Sequence, residues 1–283
     1  MSKVAIVTDS TTNIPKNLLQ GIDVHVAPAI VIWSGEELRD GVDIQPTAFY
    51  ERLVGAKEMP TTSQATPGAF KEIYEGLVKD GQKDILSYHV STKLSGTVNS
   101  AEQAKALVPD ANIQIIDGYS ASMGTGWPLL EGIKAVKAGK SLDEVVATVE
   151  KAREKSGVLL MVDTLEFLHR GGRIGGASRF LGTALNLKPI LELQDGALDA
   201  IERVRTKKKA KARLIELVQE RTGGETPLRI ASLHANAKEE AEQLLEDAKS
   251  ALNPAESVIT EVSPAVGTHT GPGTLGICYM SGI

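Results

Sequence analysis

Val4-Ala5-Ile6-Val7 is an unbroken apolar run that stops at Thr8-Asp9-Ser10, and apolar strand-like runs recur at 84–90 and 113–117. A strand with no polar alternation suits a parallel sheet covered on both faces. Residues 24–33 read as a further strand of the same half. Between and after these runs lie helix-like stretches at 47–54, 67–79, 98–107 and 125–138. Ser141-Leu142-Asp143-Glu144 then has the form of a capping box that starts another helix. Alternating strands and helices predict a parallel sheet with helices on both faces. After Gly157 the pattern changes: strand-like runs at 158–162, 189–193, 198–205, 228–234, 257–262 and 274–279 lie closer together, with helices fitting 206–222 and 237–252. Gln194-Asp195-Gly196 is a hairpin signal between two of them. The expected fold is therefore α/β: an N-terminal parallel-sheet α/β/α domain over 1–156, and a second, mixed or antiparallel α/β domain over 157–283.

Composition narrows the function classes. A chain of 283 residues with 42% hydrophobic and 24% charged residues can bury the cores of two domains. The net charge is −5, and the basic block Lys207-Lys208-Lys209-Ala210-Lys211-Ala212-Arg213 leads into an apolar helical run, so it reads as a solvated helix face. No aromatic stacking residues accompany it, and nucleic acid is not an expected partner. Cys278 is the only cysteine and sits in an apolar strand, which predicts a buried, inert thiol in a reducing compartment. No signal peptide and no apolar run of membrane-spanning length is read, so a cytoplasmic protein is expected. Histidines 25, 89, 169, 234 and 269 have no paired metal-ligand spacing, and neither a phosphate loop nor a G-x-S-x-G elbow is present. No metal or cofactor is expected.

Hydroxyl-bearing residues and glycines collect at strand ends: Asp9-Ser10-Thr11-Thr12-Asn13, Thr61-Thr62-Ser63-Gln64, Ser91 to Thr97, and Ser120 to Gly126. Each could be a helix cap. Together, at the carboxyl edge of a parallel sheet, they could supply neutral donors to an anionic group. Gly267-Thr268-His269-Thr270-Gly271-Pro272-Gly273 is either a tight turn before the last strand or a loop that brings His269 to the same anion. Arg173 and Arg179 flank a glycine pair, and Arg203 and Arg205 end a strand. Surface arginine and anion recognition both fit them.

The motifs Asp9-Ser10, Thr62-Ser63-Gln64, Leu94-Ser95-Gly96-Thr97, Asp163-Thr164-Leu165-Glu166-Phe167, Arg170-Gly171-Gly172-Arg173-Ile174-Gly175 and His269-Thr270-Gly271-Pro272-Gly273 occur in that order over nearly the whole chain. In this the sequence resembles the DegV family. The resemblance implies two α/β domains that enclose one long-chain fatty acid between them. It implies no enzyme acting alone, but the fatty-acid-binding subunit of a bacterial fatty acid kinase. A separate ATP-binding kinase subunit would convert the carboxylate to an acyl phosphate for phospholipid synthesis.

Position by position, the resemblance places Thr62, Ser95 and His269 at the carboxylate. Arg173 and Arg205 match basic residues of partner contact or phosphotransfer. Gly96 would let the backbone turn closely around the head group, with Thr97 as a helix cap. A transient membrane surface is a further expected partner, since release from a closed tunnel needs a trigger. Two departures are visible: Ala65-Thr66-Pro67 after Gln64, and Pro264-Ala265-Val266 before Gly267. The alternatives are a stand-alone serine esterase or acyltransferase using Ser95 and His269, and a lipid carrier unconnected to a kinase. Low aromatic content (4%) implies aliphatic tunnel walls.

Overall fold

The structure, a computed structural model, describes residues 4–19, 21, 23–182 and 187–283. Thus five residues of the expected N-terminal unit and four of the C-terminal one lie outside the described residues.

Thirteen strands are described, in three sheets. β1 (Ala5–Asp9), β2 (Val24–Ala27), β6 (Asp84–His89) and β7 (Asn112–Asp117) form a parallel sheet in the order β2-β1-β6-β7. Its faces alternate with the strand period. Ala5, Val7 and Ile85 pack with Phe70 and Tyr74 of α2 (Pro67–Lys79) and Ala101 of α3 (Thr97–Lys105). Val4, Ile6 and Leu86 face the opposite way, towards α4 (Met123–Lys137) and α5 (Leu142–Glu154). The predicted capping box is present: Ser141 Oγ accepts from Glu144 N while the Glu144 carboxylate accepts from Ser141 N.

A small antiparallel sheet, unforeseen in the sequence, has the order β4-β3-β5, from β3 (Ile30–Trp33), β4 (Glu36–Arg39) and β5 (Thr61–Ser63). It corrects the single strand read over 24–33. Pro28 lies at the break and has no amide proton to continue the ladder. The second half of that run therefore leaves the parallel sheet. It pairs with β5, and α1 (Pro46–Leu53) packs Phe49 edge-on to Trp33 beneath it. Thr61-Thr62-Ser63 is thus an edge strand rather than a loop of the parallel sheet.

The remaining strands are β8 (Ser156–Met161), β9 (Lys188–Gln194), β10 (Ala197–Val204), β11 (Leu228–His234), β12 (Glu256–Glu261) and β13 (Leu275–Ser281). They form one mixed sheet, ordered β10-β9-β8-β13-β11-β12, in which only β11 and β12 run parallel among the described residues. Helices punctuate them: among the described residues the short α6 (Glu166–Arg170), α7 (Lys207–Thr222), α8 (Lys238–Leu252) and, before β13, a helix of seven residues. α7 and α8 cover one face, burying Leu159, Met161, Ile230 and Ile277. The other face, with Val158, Leu160, Leu191 and Leu233, joins the same apolar cluster as β1, β6 and α4. α4 is buried nearly all round, as a helix between two sheets must be.

The seven residues Pro264–Thr270 form α9, a helix where the sequence suggests a tight turn or a loop. Pro264 opens it at the first helical position, where proline's fixed φ and missing amide cost nothing. Gly271, at φ 76°, ends it.

Candidate functional site

Strand alternation builds the floor of an apolar cavity. Val158 and Leu160 of β8 project to the side opposite Leu159 and Met161. Leu193, Leu198 and Leu233 of β9, β10 and β11 extend the same surface. Val262, Ala265 and Val266 close one side, and Ala29, Val90 and Ala121 from the ends of the N-terminal strands close the top. The unfilled space is about 880 Å³, mouth included. Every apolar side chain lining it is aliphatic. Walls of this kind reward an apolar guest roughly in proportion to its buried area and impose little direction on it.

Polar groups gather along the rest of the wall, where Thr62, Ser95, Arg173 and His269 all line the space. Thr62 comes from β5 and His269 from the last turn of α9, and their Oγ1 and Nε2 atoms lie 2.6 Å apart. The imidazole packs on Gly171, where any Cβ would run into Nδ1. That nitrogen is buried with no hydrogen-bond partner. Burial, with the Arg173 guanidinium nearby, pushes the His269 pKa down to about 4, so the ring is neutral at pH 7. The fixed positive charge is Arg173. Its Nε donates to Leu94 O at 2.9 Å and its Nη1 to Gly171 O at 2.6 Å. α9 is anchored at its other end by Asp40, which accepts from Ala265 N at 3.1 Å and from Ser10 Oγ at 2.6 Å. Burial pushes the Asp40 carboxyl up to about 6.

Thr62, Arg173 and His269 also border a second depression, shared with Met59, Pro60, Phe167 and Arg170. These three side chains are therefore common to both spaces. The arrangement can hold a carboxylate with hydroxyls, a neutral imidazole and one guanidinium.

It is poorly arranged for a serine nucleophile. Ser95 Oγ is 2.9 Å from Thr97 Oγ1, and His269 is paired with Thr62. Asp9, His89 and Ser87 do form an acid–imidazole–hydroxyl chain, but all three are wholly buried. Cys278 is buried too, and its thiol is pushed up to about 12 by burial. Among the described residues no group of three His, Cys, Asp or Glu is placed to hold a metal ion, and no helix is long and apolar enough to cross a membrane.

Of the predicted site residues, the structure brings four to one wall. Arg205 does not line it; it is exposed just beyond β10. Arg203 stacks on Phe180, with its Cζ 4.7 Å from the ring centre, and Arg179 pairs with Asp199 at 3.0 Å. Two finer readings are corrected. Thr97 is the first residue inside α3 and makes no cap; the N-cap is Gly96. Gly96 has an ordinary φ of −79°, and its missing side chain makes room for Gln64 rather than for a turn. The departure at Thr66 has a local cause, since Thr66 Oγ1 caps α2 by accepting from Ala69 N at 3.1 Å. Thr11, Gln64 and Ser122, from three of the hydroxyl-rich strand-end stretches read in the sequence, also line the cavity, whereas Leu94, Leu168 and Thr270 line it without having been singled out one by one.

With this geometry in hand, the profile of the family described as "Uncharacterised protein, DegV family" matches residues 3–282. The chain belongs to the DegV family. A DegV domain-containing protein of Halalkalibacterium halodurans is 34% identical over 280 residues, covering 99% of each chain. Among solved structures, a DegV family protein from Thermus thermophilus, described by its fatty acid binding, superposes with a TM-score of 0.92 at 37% identity, covering 99% of both chains. DegV of Bacillus subtilis, described as a fatty acid binding protein, superposes with a TM-score of 0.90 at 33% identity, covering 99% of this chain and all (100%) of that one. The DegV architecture, a parallel-sheet unit beside a mixed sheet, is thus shared along the full chain.

Proposed function

We propose that this chain binds one long-chain fatty acid in the cavity between its two units, 1–156 and 157–283, and presents the carboxylate to a separate ATP-binding kinase subunit. The observation that carries this reading is an aliphatic cavity whose wall includes Thr62, Ser95, His269 and Arg173, three of which also border a neighbouring depression. The Thermus and Bacillus relatives, described as binding fatty acids, support the first half of it.

Magnitudes divide the labour. Roughly 14 to 16 methylenes at about 0.8 kcal/mol each give on the order of 12 kcal/mol before the costs of ordering. Each hydrogen bond to a charged carboxylate adds about 1.5–3 kcal/mol. The tail sets affinity; the head group sets orientation.

In the transfer step, a carboxylate oxygen forms a bond to the γ-phosphorus of ATP and the bond to the ADP oxygen breaks, leaving an acyl phosphate and ADP. The acid is already ionised, so no base is required of this chain. Thr62, Ser95 and His269 hold the carboxylate, and Arg173 offsets negative charge there. Arg205, exposed beyond β10, is available to the kinase subunit. A cytoplasmic protein that exchanges its ligand at a membrane surface fits this role, with phospholipid synthesis as the destination of the acyl group.

The test is reconstitution: loaded protein, kinase subunit and ATP, with hydroxylamine to trap acyl phosphate. Acyl hydroxamate and ADP formed only with both proteins are expected. Hydroxamate no greater than in the absence of this chain would contradict the kinase half of the reading.

A further inference from the structure

Asp9 is a carboxylate with no exposure at all, and its cost in so dry a place is offset by four donors. Oδ1 accepts from Thr11 N at 3.0 Å and from Thr11 Oγ1 at 2.6 Å. Oδ2 accepts from Val90 N at 3.0 Å and lies 3.2 Å from His89 Nδ1. Burial alone would push the carboxyl up, but the hydrogen bonds from His89, Thr11 and Val90 hold it below its ordinary value. An ionised carboxylate can only accept, so His89 carries its proton on Nδ1. Nε2 lies 2.6 Å from Ser87 Oγ, and Ser87 Oγ 2.7 Å from Tyr74 OH, so the buried chain of hydrogen bonds runs from Tyr74 to Asp9.

What Asp9 holds is the cavity wall. Thr11 and Val90 both line it, and Thr11 O accepts from Ser122 N at 2.9 Å, fixing a third lining residue. One carboxylate thereby ties together the ends of β1 and β6 and the start of α4. Beyond Val90 the chain turns at once. Ser91 N donates to Ser120 O at 2.9 Å, and Ser91 O accepts from the amides of Leu94 and Ser95 at 3.0 Å each. The turn that carries Ser95 is thus anchored at Ser91, one residue beyond the Val90 that Asp9 grips.

We propose that Asp9 is a positioning residue for carboxylate recognition, holding the strand-end wall and the Ser95 turn through Thr11 and Val90. The inference rests on the fatty-acid reading above. Its test compares two probes, hexadecanoic acid and 1-hexadecanol, on wild type and Asp9→Asn by calorimetry. The variant puts an amide where only acceptors fit, so acid affinity should fall about tenfold while alcohol affinity changes less than about twofold. The carboxyl resonance of bound carbon-13-labelled hexadecanoic acid should also move. Should Asp9→Asn fail to fold, His89→Leu carries the test, because the His89 side chain does not line the wall and is hydrogen-bonded to Asp9. The same selective loss is expected, restored by His89→Gln, which keeps a donor. Equal loss of acid and alcohol, or no loss of either, overturns the inference while leaving fatty-acid binding intact. Wild-type protein that takes up neither probe overturns both.

Discussion

Val158, Leu160 and Leu233 reach the cavity floor from strands of a single sheet, whereas Thr62, Ser95, Arg173 and His269 come to its polar wall from four separate segments. The floor inherits its geometry from sheet alternation, and any aliphatic side chain of similar size would preserve it. The polar wall depends on placing β5 against α9, whose contact residues Thr62 and His269 are 207 positions apart in sequence. A shift between the two halves of the molecule would leave the floor whole and separate the donors. Affinity and orientation are therefore lodged in different parts of the structure and should fail independently.

The largest effect expected is from filling the floor. Leu193→Trp should weaken hexadecanoic acid binding by more than about a hundredfold by displacing several methylenes. Calorimetry that found wild-type affinity would remove the floor from the site.

Next comes the polar wall. Thr62→Val should cost about ten- to a hundredfold, the value of a hydrogen bond to a charged group. Measured over acids of increasing length, wild type and variant should both gain about fourfold per methylene, as parallel lines. Converging lines would mean that head and tail are not separable.

pH provides a third separation. His269, with its pKa depressed from 6.5 to about 4, contributes stability that is present above pH 6.5 and lost as pH falls towards 4. Asp40, raised from 3.8 to about 6, contributes the reverse: stability fully present below 3.8 and lost as pH rises through 6. Relative to wild type, His269→Gln should gain stability as the medium is acidified, and Asp40→Asn should lose it. The slopes should approach about 1.4 kcal/mol per pH unit for each group. Denaturant titrations at several pH values read both signs, and slopes of the same sign would refute the assignment.

The smallest effect is expected at Ser95, which already has Thr97 as a hydroxyl neighbour. Ser95→Ala should weaken acid binding about fivefold, roughly 1 kcal/mol. Full affinity and full acyl-phosphate formation would remove Ser95 from the wall.

The same contrast decides what could be read from sequence. β1, β6 and β7 were legible because buried parallel strands are continuous apolar runs, and α5 because its capping box is local. The small sheet was not, although Ser34-Gly35, at φ 52° and 80°, is a two-residue hairpin turn and a usable signal. α9 was missed because seven residues hold too little periodicity, though Ser263-Pro264 before it and Gly271 after it are start and stop marks. Thr62, Ser95 and His269 emerged as a set only through resemblance, since no local pattern encodes a contact between β5 and α9. The tunnel walls stayed hidden for another reason. In a run such as Val158-Leu159-Leu160-Met161 every residue is apolar, so sequence does not say which face meets the cavity.

Native mass spectrometry of the purified protein tests the central claim most directly. Incubated with hexadecanoic acid and desalted, the folded chain should carry the mass of one fatty acid, lost on denaturation and absent from Leu193→Trp. A folded chain that keeps the bare mass, with or without added acid, would contradict the account.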